Sequence, residues 1–352
     1  MKLAVCDRSL GQAMISLKRS VYDLLQAQSV PINLRSWVDQ LFEYNVGGGK
    51  NMRAKLLVLT QQALSPPGTE ATPQVYRLAC TMEMLQGALL MADDVMDGST
   101  TRRGKPCWHT KRVVVFLADI GLRAINDVLL LSQAVPLLLS QDWPDAALSQ
   151  QLMHTYNQTY LRTILGQHLD MTAAGRPEIF SADLYAHIVL HKTSYYTFYL
   201  PLKMGYLIAS PDWDATQAEA FLLLASKLLG HAFQSTDDYL DCFGEPSVTG
   251  KVGTDIAEGK CTWLATTCLA SLPDHPAKQQ LHKTFMENFG QKDEKSQKKV
   301  KEVYSELGLQ ELFSTEQSLM EAEMKNSLRE CPSEALTTVL THFFDASMRR
   351  NK

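Results

Sequence analysis

Two apolar stretches of this chain, residues 85–92 and 222–233, each run into three aspartates: Asp93, Asp94 and Asp97 after the first, Asp237, Asp238 and Asp241 after the second. Carboxylates are costly to bury among apolar groups, so both stretches must fold in a way that gives these acids cations or water. A helix meets that condition. Residues four apart share a helical face, so Asp93 points the same way as Asp97, and Asp237 the same way as Asp241. Hard oxygen ligands grouped in this manner suit Mg²⁺, which takes one or two carboxylates together with substrate phosphates. A single group of this kind is commonly a solvated acidic face. Two of them, each ending an apolar helix, favour metal ions that hold a polyphosphate between facing clusters.

Helical spacing of apolar residues dominates the rest of the chain, and few segments alternate as strands do. Short breaks with turn chemistry, such as Ser65-Pro66-Pro67-Gly68 and Ala174-Gly175-Arg176-Pro177, separate the helices. The pattern predicts helices over 8–28, 31–45, 50–64, 73–97, 120–140, 145–173, 181–208, 215–243, 260–271 and 277–289. Residues 291–301, rich in Lys, Glu and Gln, read as a solvated helix start or a loop. No Pro/Gly/Ser-rich linker divides the 352 residues. The expected architecture is all-α, one large helical domain over 1–352.

Composition narrows the function. With 45% hydrophobic and 20% charged residues and a net charge of −4, the chain is globular and gives no reason to expect nucleic acid as a partner. Its seven cysteines are scattered and form no CxxC pair, which reads as reduced thiols in a cytoplasmic protein. No unbroken apolar run reaches the roughly 18 residues of a membrane span, and the N-terminus has no signal-peptide pattern. An organellar presequence removed from a longer chain would leave the same sequence. No Glu-x-x-His occurs, against a di-iron carboxylate bundle.

Basic groups accompany the acidic ones. Gly47-Gly48-Gly49-Lys50-Asn51-Met52-Arg53 opens a helix whose free N–H groups, with Lys50 and Arg53, suit a phosphate; the P-loop pattern is absent. Arg102 and Arg103 follow the first aspartates, either as salt-bridge partners or as bidentate phosphate ligands. Lys192 and Thr193 lie among Tyr195, Tyr196, Phe198 and Tyr199; the lysine either snorkels to solvent or meets a substrate phosphate. Lys251 and Lys260, in and after a polar glycine-rich loop, either belong to an ordinary connection or close over an anion.

Taken in order, the run from Leu85 through Asp93-Asp94-Val95-Met96-Asp97 to Thr101-Arg102-Arg103-Gly104, then Phe233-Gln234-Ser235-Thr236-Asp237-Asp238-Tyr239-Leu240-Asp241 with Gly250-Lys251 and Gly259-Lys260, resembles the two aspartate-rich motifs of the trans-prenyltransferases. Within that family the residues are most similar to the eukaryotic farnesyl diphosphate synthases, from residue 41 to the basic C-terminal Arg349-Arg350-Asn351-Lys352. The resemblance implies an isoprenoid-synthase helical bundle with a deep central cavity, a homodimer, and Mg²⁺-dependent condensation of isopentenyl diphosphate with dimethylallyl or geranyl diphosphate. It further implies that Asp93, Asp94, Asp97 and Asp237 bind three Mg²⁺ ions, or Mn²⁺ in their place, supported by Asp238 and Asp241. Arg102, Lys192 and Lys251 would contact the allylic diphosphate. Lys50, Arg53, Gln86 and Arg103 would hold isopentenyl diphosphate. Lys192, Thr193 and Gln234 would face the allylic cation, and Lys260 and the C-terminal tail would close the site.

Two positions depart from the family pattern. Ala88 and Leu89 stand five and four residues before Asp93, where farnesyl synthases carry bulky aromatics that floor the product cavity. A deeper floor would permit geranylgeranyl or homologous products. His109 replaces a usual aromatic. Two rivals share the pattern in part. A terpene synthase on this fold would not need Lys50, Arg53, Gln86 and Arg103 together, and a non-catalytic subunit would not need every motif aspartate.

Overall fold

The computed structural model describes residues 2–29, 33–113, 118–245, 253–274 and 276–349. Lys251, Arg350, Asn351 and Lys352, and with them the expectations for the loop lysine and the C-terminal tail, lie outside the described residues. The chain divides into two compact units, 1–158 with 200–212, and 159–199 with 213–352.

In the first unit α1 (Lys2–Ala27), α3 (Met52–Leu64) and α5 (Arg123–Asp142) pack around α4 (Pro73–Met96), which carries the first aspartates at its end. Helix α2 (Asn33–Leu41) passes into one π turn, Phe42–Val46, and α8 (Leu200–Ala209) lies on α3. Thr72 caps α4 by accepting from Val75 N at 3.3 Å, and Pro73 follows at the first turn, a start signal worth about 1 kcal/mol. After α4 comes a hairpin in which Arg102 pairs with Lys105. Its two turn residues, Arg103 and Gly104, have φ of +54° and +72°, as a two-residue type I′ turn requires. Asp127 of α5 pins the unit together, accepting from Trp37 Nε1 and Trp108 Nε1, each at 2.8 Å. His109 sits beside Trp108 in a 3₁₀ turn, where its carbonyl accepts from Gly121 N.

The second unit is centred on α9 (Ala215–Phe243), capped by Asp214, whose Oδ1 accepts from Thr216 N and Gln217 N. Around it lie the C-terminal part of α6 (Ala146–Ala173), α7 (Ala182–Ile188), the π segment Val189–Tyr199, α10 (Asp255–Glu258), α11 (Trp263–Ser271), α12 (Lys278–Asn288), α13 (Glu294–Glu306), α14 (Leu309–Leu328) and α15 (Glu334–Met348). Residues 291–301 contain the start of α13, capped by Asp293. The expected continuous helix 181–208 is interrupted. Its middle widens to a π-helix, with Ser194 Oγ donating to Val189 O. Pro201, just beyond, offers no backbone donor and crowds the carbonyl four residues back, so the regular ladder cannot run through.

The seven cysteines are all free and six are buried. Burial pushes the Cys80, Cys242, Cys261 and Cys268 thiols up to about 12, which makes them inert. Among the described residues one helix, α5, is long and apolar enough to cross a membrane by length and composition, although its Asn126, Asp127 and Gln133 break any unbroken run and half of it is buried.

Candidate active site

Each aspartate group occupies the C-terminal end of its helix, and neither α4 nor α9 has a basic residue in its last turn. Asp93, Asp94 and Asp97 at the end of α4 and Asp241 in the last turn of α9 face the negative end of the helix dipole, which disfavours a carboxylate there by a few tenths to about 1 kcal/mol. Cations from outside the helix must offset this. On α4 one does: Arg102, presented by the hairpin, donates from Nε to Asp94 Oδ1 at 2.6 Å and from Nη2 to Asp93 Oδ2 at 3.2 Å. Asp94 is buried, and burial raises its pKa against the pull of Arg102. Asp93 and Asp97 are half-buried.

A basic cluster lies in the same unit. Asn51, in the left-handed conformation, starts α3, and Glu83 of α4 accepts from Ala54 N at 3.1 Å. A Cβ at Gly87 would fall 2.8 Å from Asn45 O, so α4 lies directly on the π turn that leads into the glycine run. This places Glu83 and buried Gln86 beside the α3 N-terminus. Gln86 Oε1 is buried without a hydrogen-bond partner among the described residues. The Arg103 guanidinium lies along Gly49, 3.5 Å from where a Cβ would be. Burial lowers the Arg103 pKa, and the charges of Arg102 and Arg53 lower it further, while Glu83 opposes them. Two guanidiniums, Arg53 and Arg103, thus share a helix N-terminus with Glu83, while Arg102 is held by Asp93 and Asp94, and this excess of positive charge favours an anion. Lys50 is exposed at its edge.

In the second unit the three aspartates differ. Asp237 is half-buried. Asp238 is buried, with Oδ1 accepting from Gln234 Nε2 at 2.8 Å and Oδ2 from Tyr185 OH at 2.8 Å and Trp263 N at 2.9 Å. Burial pushes it up to about 6 despite these donors. Asp241 Oδ2 accepts from Asp255 N at 2.9 Å and so anchors the start of α10. Lys260 pairs with Glu258 at 2.8 Å.

Lys192 and Thr193 lie on the π segment, a device that recurs at functional sites. Lys192 Nζ meets Asp170 Oδ2 of α6 at 2.6 Å, a partner that sequence reading missed because a lone Asp in a helix carries no signal. Gly166, one turn before Asp170, makes the contact possible: a Cβ there would lie 2.7 Å from Lys192 Cα. Thr193 Oγ1 donates to Gln234 Oε1 at 2.9 Å.

The donor set fits a divalent cation in part. Asp93, Asp97 and Asp237 offer hard oxygens on half-buried side chains, whereas both oxygens of Asp238 are held by protein donors. Among the described residues no three carboxylate, imidazole or thiolate groups converge into a ready-made cage.

A helical fold with an acidic helix end in each unit and a basic cluster at the α3 N-terminus defines a class, and comparison with known proteins identifies it. The polyprenyl synthetase family model matches residues 35–307. The farnesyl pyrophosphate synthase 2 of Cannabis sativa is 35% identical over 326 residues, 90% of this chain and 91% of that protein. The farnesyl pyrophosphate synthase of Rattus norvegicus is 35% identical over 322 residues, covering 90% of this chain and 88% of that protein. Among solved structures, farnesyl diphosphate synthase of T. brucei complexed with risedronate superposes with a TM-score of 0.85 at 27% identity, over 99% of this chain and 100% of that one. The chain belongs to the polyprenyl synthetase family and has the isoprenoid-synthase helical fold.

Proposed function

We propose that the protein is a prenyltransferase that condenses isopentenyl diphosphate head to tail with dimethylallyl and then geranyl diphosphate, giving farnesyl diphosphate. The observation that carries this reading is the pair of guanidiniums, Arg53 and Arg103, at the α3 N-terminus beside Gln86, separate in function from the aspartates at the end of α4 that Arg102 pairs with. A condensing enzyme holds two diphosphates; a terpene synthase holds one and has no use for a second anion site. The family match across 35–307 spans both units, which supports treating 1–352 as one catalytic domain.

Lys50, Arg53, Gln86 and Arg103 bind the isopentenyl diphosphate, and Arg102, Lys192 and Lys251 the allylic one. When bound, Mg²⁺ ions supply charge neutralisation for the leaving diphosphate, and Asp93, Asp94, Asp97 and Asp237 would hold them. The allylic C–O bond breaks, its electron pair leaves with the diphosphate, and Thr193, Gln234 and the Lys192 segment face the resulting cation. The isopentenyl double bond supplies the electrons of the new C–C bond, and the released diphosphate takes the proton. Asp238 and Asp241 support the second cluster from behind, and Lys260 helps to close the site.

A homodimer accompanies this reading. Ile125, Leu129 and Leu137 form an exposed apolar stripe on α5, and Leu161, Ile164 and Leu165 are exposed on α6; a second copy would cover them. The buried free thiols support a cytoplasmic location.

Ala88 has no accessible surface, so the space of the missing ring is filled there, whereas Leu89 is half-buried. This supports farnesyl diphosphate as product and leaves Leu89 as the residue that sets its length. Leu89→Phe is expected to stop elongation at geranyl diphosphate. Ala88→Phe is expected to destabilise the fold by about 1–3 kcal/mol through overpacking. Chromatography of labelled products and thermal melting check the two, and an unchanged product from Leu89→Phe would place the floor elsewhere. The function itself is tested by offering Mg²⁺, labelled isopentenyl diphosphate and each of dimethylallyl, geranyl and farnesyl diphosphate separately. The first two should be extended and the third left alone. Consumption of farnesyl diphosphate without isopentenyl incorporation would replace this reading with a terpene synthase.

A further inference from the structure

Thr193 and Gln234 belong to different elements, the π segment and α9, and meet through one hydrogen bond, from Thr193 Oγ1 to Gln234 Oε1. The other end of the Gln234 amide is not free to choose its partner. Nε2 donates to Asp238 Oδ1, one turn further along α9. An ionised carboxylate only accepts, so Asp238 dictates which end of the amide faces Thr193. Asp238 is fixed in turn, because its second oxygen accepts from the Tyr185 hydroxyl of α7 and the Trp263 N–H that begins α11. The relay runs through buried Tyr185, Asp238 and Thr193 and lies within one unit.

We propose that Asp238 and Tyr185 are positioning residues that set the polarity of the dipoles offered to the allylic cation. Asp238 orients the Gln234 amide, the amide oxygen takes the only hydroxyl proton of Thr193, and a group that approaches Thr193 Oγ1 therefore meets lone pairs. A negative dipole end fixed before ionisation stabilises positive charge as it develops, without reorganisation. The reversed amide would donate to Thr193 and turn the hydroxyl proton outward, toward like charge. This inference rests on the prenyl-transfer reading and refines it, giving the supporting Asp238 a definite task, the orientation of Gln234.

Asp238→Asn tests the idea sharply, because it preserves shape and can satisfy every hydrogen bond. The Asn oxygen accepts from Tyr185 and Trp263, its NH₂ donates to Gln234, and the Gln234 amide must turn over. Calorimetry with Mg²⁺ and inorganic diphosphate would compare two analogues of the allylic chain, one with an ammonium nitrogen at the cationic carbon and one neutral all-carbon isostere. In Asp238→Asn the preference for the ammonium analogue is expected to fall about tenfold or more, and kcat about 100-fold. KM for both substrates and the Mg²⁺ dependence should stay near wild type. Tyr185→Phe, which removes one hydroxyl, should move the same two quantities in the same direction by less, and covers the case in which Asp238→Asn does not fold. An unchanged ammonium preference in both variants, or a raised Mg²⁺ requirement with unchanged preference, overturns the proposal. If wild-type protein neither extends allylic diphosphates nor prefers the ammonium analogue, the prenyl-transfer reading fails with it. If wild type does both and the variants match it, this inference alone fails.

Discussion

Asp93→Ala and Asp237→Ala are each expected to lower kcat by about 10³-fold, with the fold intact and the melting temperature unchanged or slightly raised. Asp93, in the last turn of α4, opposes the helix dipole, so its removal relieves a few tenths to about 1 kcal/mol of unfavourable interaction, whereas Asp237 lies before the last turn of α9 and its removal should leave stability unchanged. On the proposed assignment each acid would hold Mg²⁺ against the leaving diphosphate, so its loss would remove several kcal/mol of charge stabilisation, and each 1.36 kcal/mol is a factor of ten in rate. Asp93 also pairs with Arg102 at 3.2 Å, so its variant should gain less stability than the dipole alone would give. Thermal melting and steady-state kinetics on the same preparations separate the effects. Full activity in either variant would remove that cluster from the site, and a lowered melting temperature would mean that the acid is structural.

These aspartates were legible in sequence because their helices announce themselves. The expected 73–97 and 215–243 became α4 (Pro73–Met96) and α9 (Ala215–Phe243), since Thr72-Pro73 and Asp214 fix the starts and long apolar runs fix the period. What the sequence could not express is how identical spellings are used. Asp94 and Asp238 hold equivalent places in their motifs, yet one meets Arg102 and the other an amide, a phenol and a backbone N–H. The π segment was hidden for a related reason. Over eleven residues, apolar spacing does not distinguish a widened helix from a regular one, and the close approach of another helix leaves no local mark. Arg103 was expected for its charge, whereas its left-handed backbone and its contact with Gly49 depend on a hairpin too short to show alternation.

Gly166→Ala is expected to destabilise the protein by about 3 kcal/mol and to lower the melting temperature by about 5 °C, with a loss of activity that exceeds the fraction unfolded. The added methyl would lie 2.7 Å from Lys192 Cα and closer still to the backbone of His191 and Lys192. Those are main-chain atoms, so no side-chain rotation can make room, and α6 must part from the π segment. Asp170 sits one turn along the same face, 2.6 Å from Lys192 Nζ. Parting therefore loosens the ion pair and also displaces Lys192 and Thr193 from the positions in which they would meet diphosphate and cation. The packing cost and the lost pair arise from one displacement and do not add. Asp170→Asn separates them, since it removes the charge without disturbing the helix contact: its melting temperature should fall less than that of Gly166→Ala, while KM for the allylic diphosphate shifts because Lys192 loses its anchor. Should Gly166→Ala melt and turn over like wild type, α6 and the π segment are not in contact at this point, and the assignment of Asp170 as the partner that holds Lys192 goes with it.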